Sequence, residues 1–395
     1  MKTSDVDSSA SISPRRLKIA VLNRLFSPTG GGAERYSMAL VEQLSARHEV
    51  HVFAQEINHQ WPGVHYHRIA CWFKKPRWLN QVWYAYATWR ATRKGFDIVH
   101  SHENVWHGNV HTMHVKTVQR SLLGDAAGKL KGFALVLRRL KIAFSPRLLT
   151  YLTLERARLA ARADMAVVAA STPLQAELVA QYPHLVTVIS TVTPGVNIPK
   201  VRMPIVDARR ALGVPGDSQC IAFVANDYAR KGLPTLLVAL QKLPGVQLLI
   251  AGHAGQIVQF KAVAKSLGIL QRVHFLGPLS EVSPVYYAAN VLAHPTLEDT
   301  FAMVVLEAMA HGVPAVVSRA PYCGISALLA DGKNAVLLEQ PQDAAMLSAA
   351  LQHVLNDHAA ADSLAHEGLA FALLHTWDSA ARAYEAVYYR LCTNN

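Results

Sequence analysis

Residues 294–318 run His294-Pro295-Thr296-Leu297-Glu298-Asp299-Thr300-Phe301-Ala302-Met303-Val304-Val305-Leu306-Glu307-Ala308-Met309-Ala310-His311-Gly312-Val313-Pro314-Ala315-Val316-Val317-Ser318. An apolar strand over 291–293 enters a loop of acids and hydroxyls. A helix is expected from about Thr300 or Phe301 to His311. Gly312 suits a left-handed helix stop, Pro314 bars continuation, and 315–317 open another strand. Asp299 and Thr300 stand where an N-cap belongs, so first-turn amides point into the loop, a place that attracts anions. Glu307 lies eight residues past Asp299, about two helical turns, which sets both carboxylates on one side. Taken alone, Asp299 reads as a cap and Glu307 as a solvated helix residue. Apolar residues flank Glu307 on both sides, however; such a helix is expected to be buried, and a buried Glu needs a partner.

Outward from this stretch, 395 residues with 51% hydrophobic side chains suit two domains of ordinary size. Four scattered cysteines without a CxxC argue against structural zinc and against a disulfide framework, and fit a reducing cytoplasm. Residues 1–17 are polar, lack an apolar h-region and read as a disordered tail. No run approaches the roughly 20 apolar residues of a spanning helix. The net charge of +12 is lopsided: residues 1–200 hold 26 Lys and Arg against 12 Asp and Glu, residues 201–395 hold 13 against 15. An anionic partner is therefore expected on the N-terminal half.

That half opens with a strand over 18–22, a loop ending in Gly30-Gly31-Gly32, a helix over 33–46 and a strand over 50–54. This is a βαβ unit with a glycine-rich first turn, open to phosphate or acceptor oxygen. Asp97-Ile98-Val99-His100-Ser101-His102 and His111-Thr112-Met113-His114 put histidines at strand exits, where open α/β sheets bind ligands. Residues 129–162 mix Lys131, Arg138, Arg139, Lys141, Arg147, Arg156, Arg158 and Arg162 with apolar residues. With Trp72, Phe73, Lys74, Lys75, Arg77, Trp78, Trp83, Tyr84 and Trp89, they suit an anionic membrane surface, or equally a solvated helix face. A last N-terminal strand is expected over 186–189, and Pro- and Gly-rich residues 194–215 hold the linker. A second set starts with a strand over 219–224. After it, Arg230-Lys231-Gly232 at a helix start suits a diphosphate.

Glu307-Ala308-Met309-Ala310-His311-Gly312-Val313-Pro314, with an acid eight residues upstream, resembles the signature of retaining nucleotide-sugar glycosyltransferases of the two-Rossmann-domain (GT-B) type, group 1 or family 4, which include lipopolysaccharide-core glucosyltransferases. The likeness extends to Gly30-Gly31-Gly32-Ala33-Glu34-Arg35 and Lys231-Gly232. It departs at Asp299, where the family has Glu (Glu298 lies one residue early), and at Ala302, where the family has Gly.

The resemblance implies two doubly wound α/β domains facing across a cleft. They divide into an N-terminal acceptor-binding domain at 18–195, a linker at 196–217, a C-terminal nucleotide-sugar domain at 218–373, and a final helix at 374–395 returning to the first domain. It implies transfer of a hexose from a nucleoside diphosphate, with UDP-glucose favoured, to a glycolipid or saccharide acceptor such as lipopolysaccharide core. The enzyme would lie on the inner face of the membrane. Lys231 and Arg230 would hold the diphosphate. Asp299 and His114 would hold the donor sugar, with His111 and His102 as weaker candidates beside His114. Glu307 would hold the ribose. Gly31, Gly32, Thr300, Phe301, Ala302, Met303 and Val304 would line the donor and acceptor sites. Attack would come from the front face, with the leaving phosphate as base. The one Asp-x-Asp, Asp5-Val6-Asp7, lies in the tail outside both expected domains, and no clustered His-acid spacing stands within them, so no metal and no cofactor is expected, and protein cations take the leaving charge. Two alternatives stand beside this: a nucleotide-sugar epimerase of the same fold, and a nucleic-acid-binding protein. The latter rests on charge alone, without an RNA or DNA motif, so no nucleic-acid partner is expected.

Overall fold

The computed structural model describes residues 15–27, 31–124, 136, 138, 140–142 and 144–393. Two parallel sheets organise them. The first contains β1 (Lys18–Leu22), β2 (Glu49–Ala54), β3 (Val64–Arg68), β4 (Ile98–Ser101), β5 (Val110–Met113), β6 (Ala166–Ala169) and β7 (Ile189–Thr191), in the order β3-β2-β1-β4-β5-β6-β7. The second contains β8 (Cys220–Ala225), β9 (Gln247–Gly252), β10 (Val273–Gly277), β11 (Val291–His294), β12 (Ala315–Ser318) and β13 (Val336–Leu338), in the order β10-β9-β8-β11-β12-β13. The apolar runs follow from burial on both faces, because crossover helices cover a parallel sheet on each side. In β8, Cys220, Ala222 and Val224 enter one core, while Ile221, Phe223 and Ala225 enter the other.

In each sheet the strand order reverses beside the first strand, between β1 and β4 and between β8 and β11. The crevice outside the carboxyl ends at such a point is where open α/β sheets bind ligands. Asn23, His102 and His114 stand just past strand ends of the first sheet. Residues 226–232 and 295–302 follow the two strands flanking the reversal in the second.

The final helix, Trp377–Thr393, lays Trp377, Ala380, Ala381, Tyr384, Val387, Tyr388 and Leu391 into the core of the first sheet, beside Ile19, Val21 and Leu40. That three-and-four spacing is one apolar helix face. The two interdomain passages touch where Val196 donates to the carbonyl of His375 at 2.9 Å. A Cβ on Gly195 would come within 2.3 Å of the Trp377 nitrogen, so only glycine allows the crossing.

Several expectations need correction. The linker segment carries a helix that its Pro and Gly content did not announce. Ile205–Ala211 forms a helix, anchored to the second domain by Arg209, whose guanidinium donates to the carbonyls of Ala288 (3.0 Å) and Gly216 (2.9 Å) and to Asn290 Oδ1 (2.8 Å). Residues 183–187 make a 3₁₀ turn after Pro183, and the last strand starts later, at Ile189. Arg158, expected on a basic surface, is buried. It donates to the carbonyls of Thr112 (2.8 Å) and Ser101 (3.4 Å), and burial lowers its pKa to about 10. Arg162 likewise satisfies the carbonyl of Gly108 at 2.8 Å. Tyr84 is buried, with its hydroxyl on the carbonyl of Phe53. Lys129, Lys131 and Arg139 of the same stretch, the glycine at 30 and residues 1–14 of the expected tail lie outside the described residues; the rest of that tail is ordered, with Leu17 buried in the core of the first sheet and Arg15 donating to Asp97 at 2.7 Å. Finally, strand pairing creates a His-acid cluster that spacing did not reveal: Glu49, His51 and His65 converge across β2 and β3.

Candidate active site

The turn after β8 brings Lys231 against the loop after β11. Gly232 permits this. It adopts φ +85°, and a Cβ there would meet the carbonyl oxygen of Pro295 at 1.9 Å. Lys231 Nζ then donates to Asp299 Oδ2 at 2.6 Å and to the carbonyl of Glu298 at 2.8 Å. His294 Nε2 reaches the same carboxylate oxygen at 3.2 Å. Burial opposes ionisation of Asp299, but the His294 hydrogen bond and the Lys231 charge prevail and hold its carboxyl well below the usual carboxylate range. Burial lowers the His294 pKa despite Asp299, so the ring is neutral, with the Nε2 proton assigned from the bond it makes.

Asp299 is not a helix cap. The helix begins at Met303, later than expected, because Asp299 Oδ1 draws the amides of Phe301 (3.3 Å) and Ala302 (2.9 Å) into a local turn. Thr300 lies within that turn, and Phe301 and Ala302 are buried. Ala302 takes the N-cap position at φ +75°, in the left-handed region, without a side-chain cap. The amides of Met303 and Val304 have no acceptor among the described residues and stand open at the helix mouth.

Replacing Ala302 with Gly balances three effects. Leaving left-handed strain returns roughly 1–2 kcal/mol. Losing the buried methyl costs about 0.8 kcal/mol, and the freer unfolded chain costs roughly 0.4–1 kcal/mol. Ala302→Gly is therefore expected to leave the melting temperature nearly unchanged; a drop of several degrees in calorimetry would show that the strain is absent.

Glu307, on the same helix, accepts from Tyr286 Oη at 2.7 Å, the partner its apolar setting required. Arg35, from the first helix (Gly32–Ser45), approaches it across the interdomain cleft at 3.8 Å. A second pair spans the cleft: Lys116 Nζ lies 3.2 Å from Glu298 Oε1. Arg230 stands apart from this group. Its guanidinium pairs with Asp227 at 3.5 Å and is half exposed, while its backbone carbonyl receives the Leu297 amide at 2.9 Å.

On the first domain, Gly31 caps the first helix in extended conformation, and the side-chain direction of Gly32 meets only open space. His114 Nε2 lies 2.8 Å from His102 Nδ1, with the rings stacked. Burial lowers both pKa values, to about 3 for His114 and well below the ordinary value for His102. Nε2 of His102 is buried without a partner, which suits a bare lone pair. We therefore assign the shared proton to Nδ1 of His102, leaving the Nδ1 proton of His114 to donate elsewhere. His111 does not join them. It is buried, and its Nε2 takes the Arg162 guanidinium at 3.1 Å. Sequence reasoning missed His294, Tyr286, Arg35 and Lys116 as partners of the three acids. The only local hint was His294 at a strand exit.

Residues 205–369 match the family model for glycosyl transferases group 1, and residues 30–198 match that for glycosyltransferase family 4. A D-inositol 3-phosphate glycosyltransferase of Corynebacterium diphtheriae is 31% identical over 243 residues, 57% of this chain and 56% of that protein. The chain spans about half the length of the curated relatives it matches. Among solved structures, WaaG, a glycosyltransferase involved in lipopolysaccharide biosynthesis, aligns with TM-score 0.78 and 21% identity over 94% of this chain and 99% of its own. Anabaena HepE in complex with UDP-glucose aligns with TM-score 0.70 and 17% identity over 96% and 99%. At these identities the two structures share the fold.

Proposed function

The chain belongs to the group 1 glycosyltransferases, and we propose from that premise that it moves a hexose, with retained anomeric configuration, from a nucleoside diphosphate to an anionic acceptor. The observation that carries this reading is the meeting of the two strand-exit rims. Lys116, two residues past His114, pairs with Glu298 beside Asp299, and Arg35 faces Glu307. A donor between those rims would have its diphosphate at Lys231 and the open amides of Met303 and Val304. Arg230 would come within reach by leaving Asp227. The sugar would lie toward Asp299 and His114, and the ribose at Glu307. Asp299 is engaged by Lys231, His294 and two backbone amides, so it is poorly placed as a nucleophile. Front-face attack, with the departing phosphate taking the acceptor proton, needs none. In this reading protein cations carry the leaving charge without a metal.

UDP-glucose is the first donor to test, because HepE is seen with it. Titration calorimetry of wild type and Glu307→Gln provides the test. The isosteric amide keeps the Tyr286 bond but weakens a charge-assisted bond to ribose hydroxyls, so donor affinity is expected to fall about tenfold. Equal affinity for both proteins would remove the ribose role, and no binding of any nucleotide sugar would remove the function.

The acceptor is proposed to carry phosphate. The basic excess of residues 1–200 favours it. Inositol phosphate, named in the description of the curated relatives, has that chemistry; transfer assays with it and with lipopolysaccharide core, to be tested because WaaG is involved in lipopolysaccharide biosynthesis, would separate the two. Trp72, Phe73, Tyr86 and Trp89 are exposed near Lys74, Lys75 and Arg90, as are Leu140, Phe144 and Leu149 near Lys141 and Arg147. These suit contact with an anionic bilayer. The protein is expected to float with vesicles containing anionic lipid and to stay behind with neutral ones; equal recovery would exclude it. No described helix is long and apolar enough to cross a membrane.

A further inference from the structure

The cluster at the start of β2 and β3 lies away from the cleft, toward the ends of those strands opposite the ligand-binding rim. Parallel register sets His51 directly against His65. Alternation then gives Glu49, His51, His65 and His67 a common face at the sheet edge. The rings of His51 and His65 stack at 4.5 Å, and those of His51 and His67 at 5.1 Å. One ligand atom each from Glu49, His51 and His65 lies within 4.8 Å of the others. The two nitrogens of His51 are both engaged, Nε2 by Glu49 Oε1 at 2.9 Å and Nδ1 by His67 Nε2 at 2.8 Å. Lys18 Nζ also sits on Glu49 Oε1, at 2.8 Å. Lys18 and His51 together hold the Glu49 carboxyl down to about 2, so it is an anion at neutral pH.

We propose that Glu49, His51 and His65 form a binding site for a divalent transition-metal ion, zinc above all, with His67 as a positioning residue. Two imidazoles and one carboxylate are borderline donors that suit zinc, whereas calcium and magnesium prefer oxygen sets. Bonds of about 2.0–2.2 Å round a tetrahedral ion set ligand atoms roughly 3.3 Å apart, so the cluster must tighten, and the stacked His51 and His65 rings must turn out of parallel for their in-plane lone pairs to meet at one ion. His67 fixes the ring of His51. In the free protein the His51 Nε2 proton is donated to the Glu49 carboxylate, and Nδ1 accepts from His67 Nε2; ligation through Nε2 requires that proton to move to Nδ1, which would then donate to His67 Nε2. The Lys18 ammonium must withdraw from Glu49, which limits affinity. A bound ion would tie β3, the sheet's edge strand, to β2, and binding to the folded chain alone would stabilise it.

The test is titration of the untagged full chain, stripped with chelator, by Co2+ and by Zn2+. Wild type is expected to bind one equivalent, to show the visible absorption of tetrahedral Co2+, and to lose that absorption on adding Zn2+. His65 is exposed, so His65→Ala keeps the fold and is expected to weaken Zn2+ binding at least tenfold. No binding by wild type, or equal binding by His65→Ala, would overturn the proposal; the second result would place the ion at other histidines. Neither readout depends on transfer activity.

Discussion

Lys231→Ala is expected to lower kcat/KM about a hundredfold to a thousandfold with the chain still folded. In the free protein the Lys231 ammonium is held by Asp299 Oδ2 and the Glu298 carbonyl. In the proposed complex it would also face the diphosphate, whose charge grows as the glycosidic bond breaks. A preorganised charge or donor aimed at developing charge is worth roughly 3–4 kcal/mol, or 10²–10³ in rate, in a water-poor site. Arg230 stands half exposed on Asp227, too well solvated to substitute. The loss should appear in kcat as well as in affinity for the nucleoside diphosphate product. Asp299 retains His294 and two amides after the substitution but loses its countercharge, so some stability is lost as well, and activity is compared at a temperature where thermal unfolding shows the variant fully folded. Near-normal turnover would refute the diphosphate role. Turnover lost only in proportion to a large drop in melting temperature would reduce Lys231 to a structural cation.

The central strands and the helix after β11 were legible because parallel strands buried on both faces read as unbroken apolar runs, whereas the edge strand β3, Val64–Arg68, has no such run and was missed. Gly312 and Pro314 punctuate that helix as expected. Less legible was anything set by contacts between distant residues. The Lys231–Asp299 pair joins residues 68 positions apart. The pairing of His102 with His114, and of Glu307 with Tyr286, depends on which element packs on which. Charge density misled for the same reason. Arg158 looks like its basic neighbours in sequence, yet it serves two carbonyls inside the first domain. The helix start was misread because an Asp two or three residues upstream of free amides can bind them without continuing the helix. The Glu49–His51–His65 cluster needed the register of two strands, which spacing along one strand cannot supply.

Asp299→Glu and Asp299→Asn are expected to fail for different reasons. The carboxylate is satisfied on both oxygens, with Oδ1 on the Phe301 and Ala302 amides and Oδ2 on Lys231 and His294. A Glu side chain is one methylene longer and cannot keep both sets unless its backbone retreats. That backbone is clamped. The Asp299 amide donates to the Tyr322 carbonyl at 2.8 Å, its carbonyl accepts from Gly324 at 3.0 Å, and a Cβ on Gly324 would come within 1.8 Å of the Thr300 carbonyl. Asp299→Glu should therefore cost about 2 kcal/mol, the loss of one or two buried bonds, although the family signature carries Glu here. Asp299→Asn preserves length but turns a donor or a neutral oxygen toward the Lys231 ammonium, leaving a mostly buried cation without its anion. Breaking such a pair costs roughly 3–5 kcal/mol. The Asn variant should also lose a pH dependence. The folded-state pKa of Asp299 lies below its unfolded value, so its contribution is complete above the ordinary carboxylate pKa of about 4 and fades as pH falls below it. The stability gap between wild type and Asp299→Asn, read by urea unfolding, should be full at pH 7 and narrower at pH 3. A gap of constant size would mean that the carboxylate is not held ionised by Lys231 and His294, and the electrostatic account of this site would fall with it.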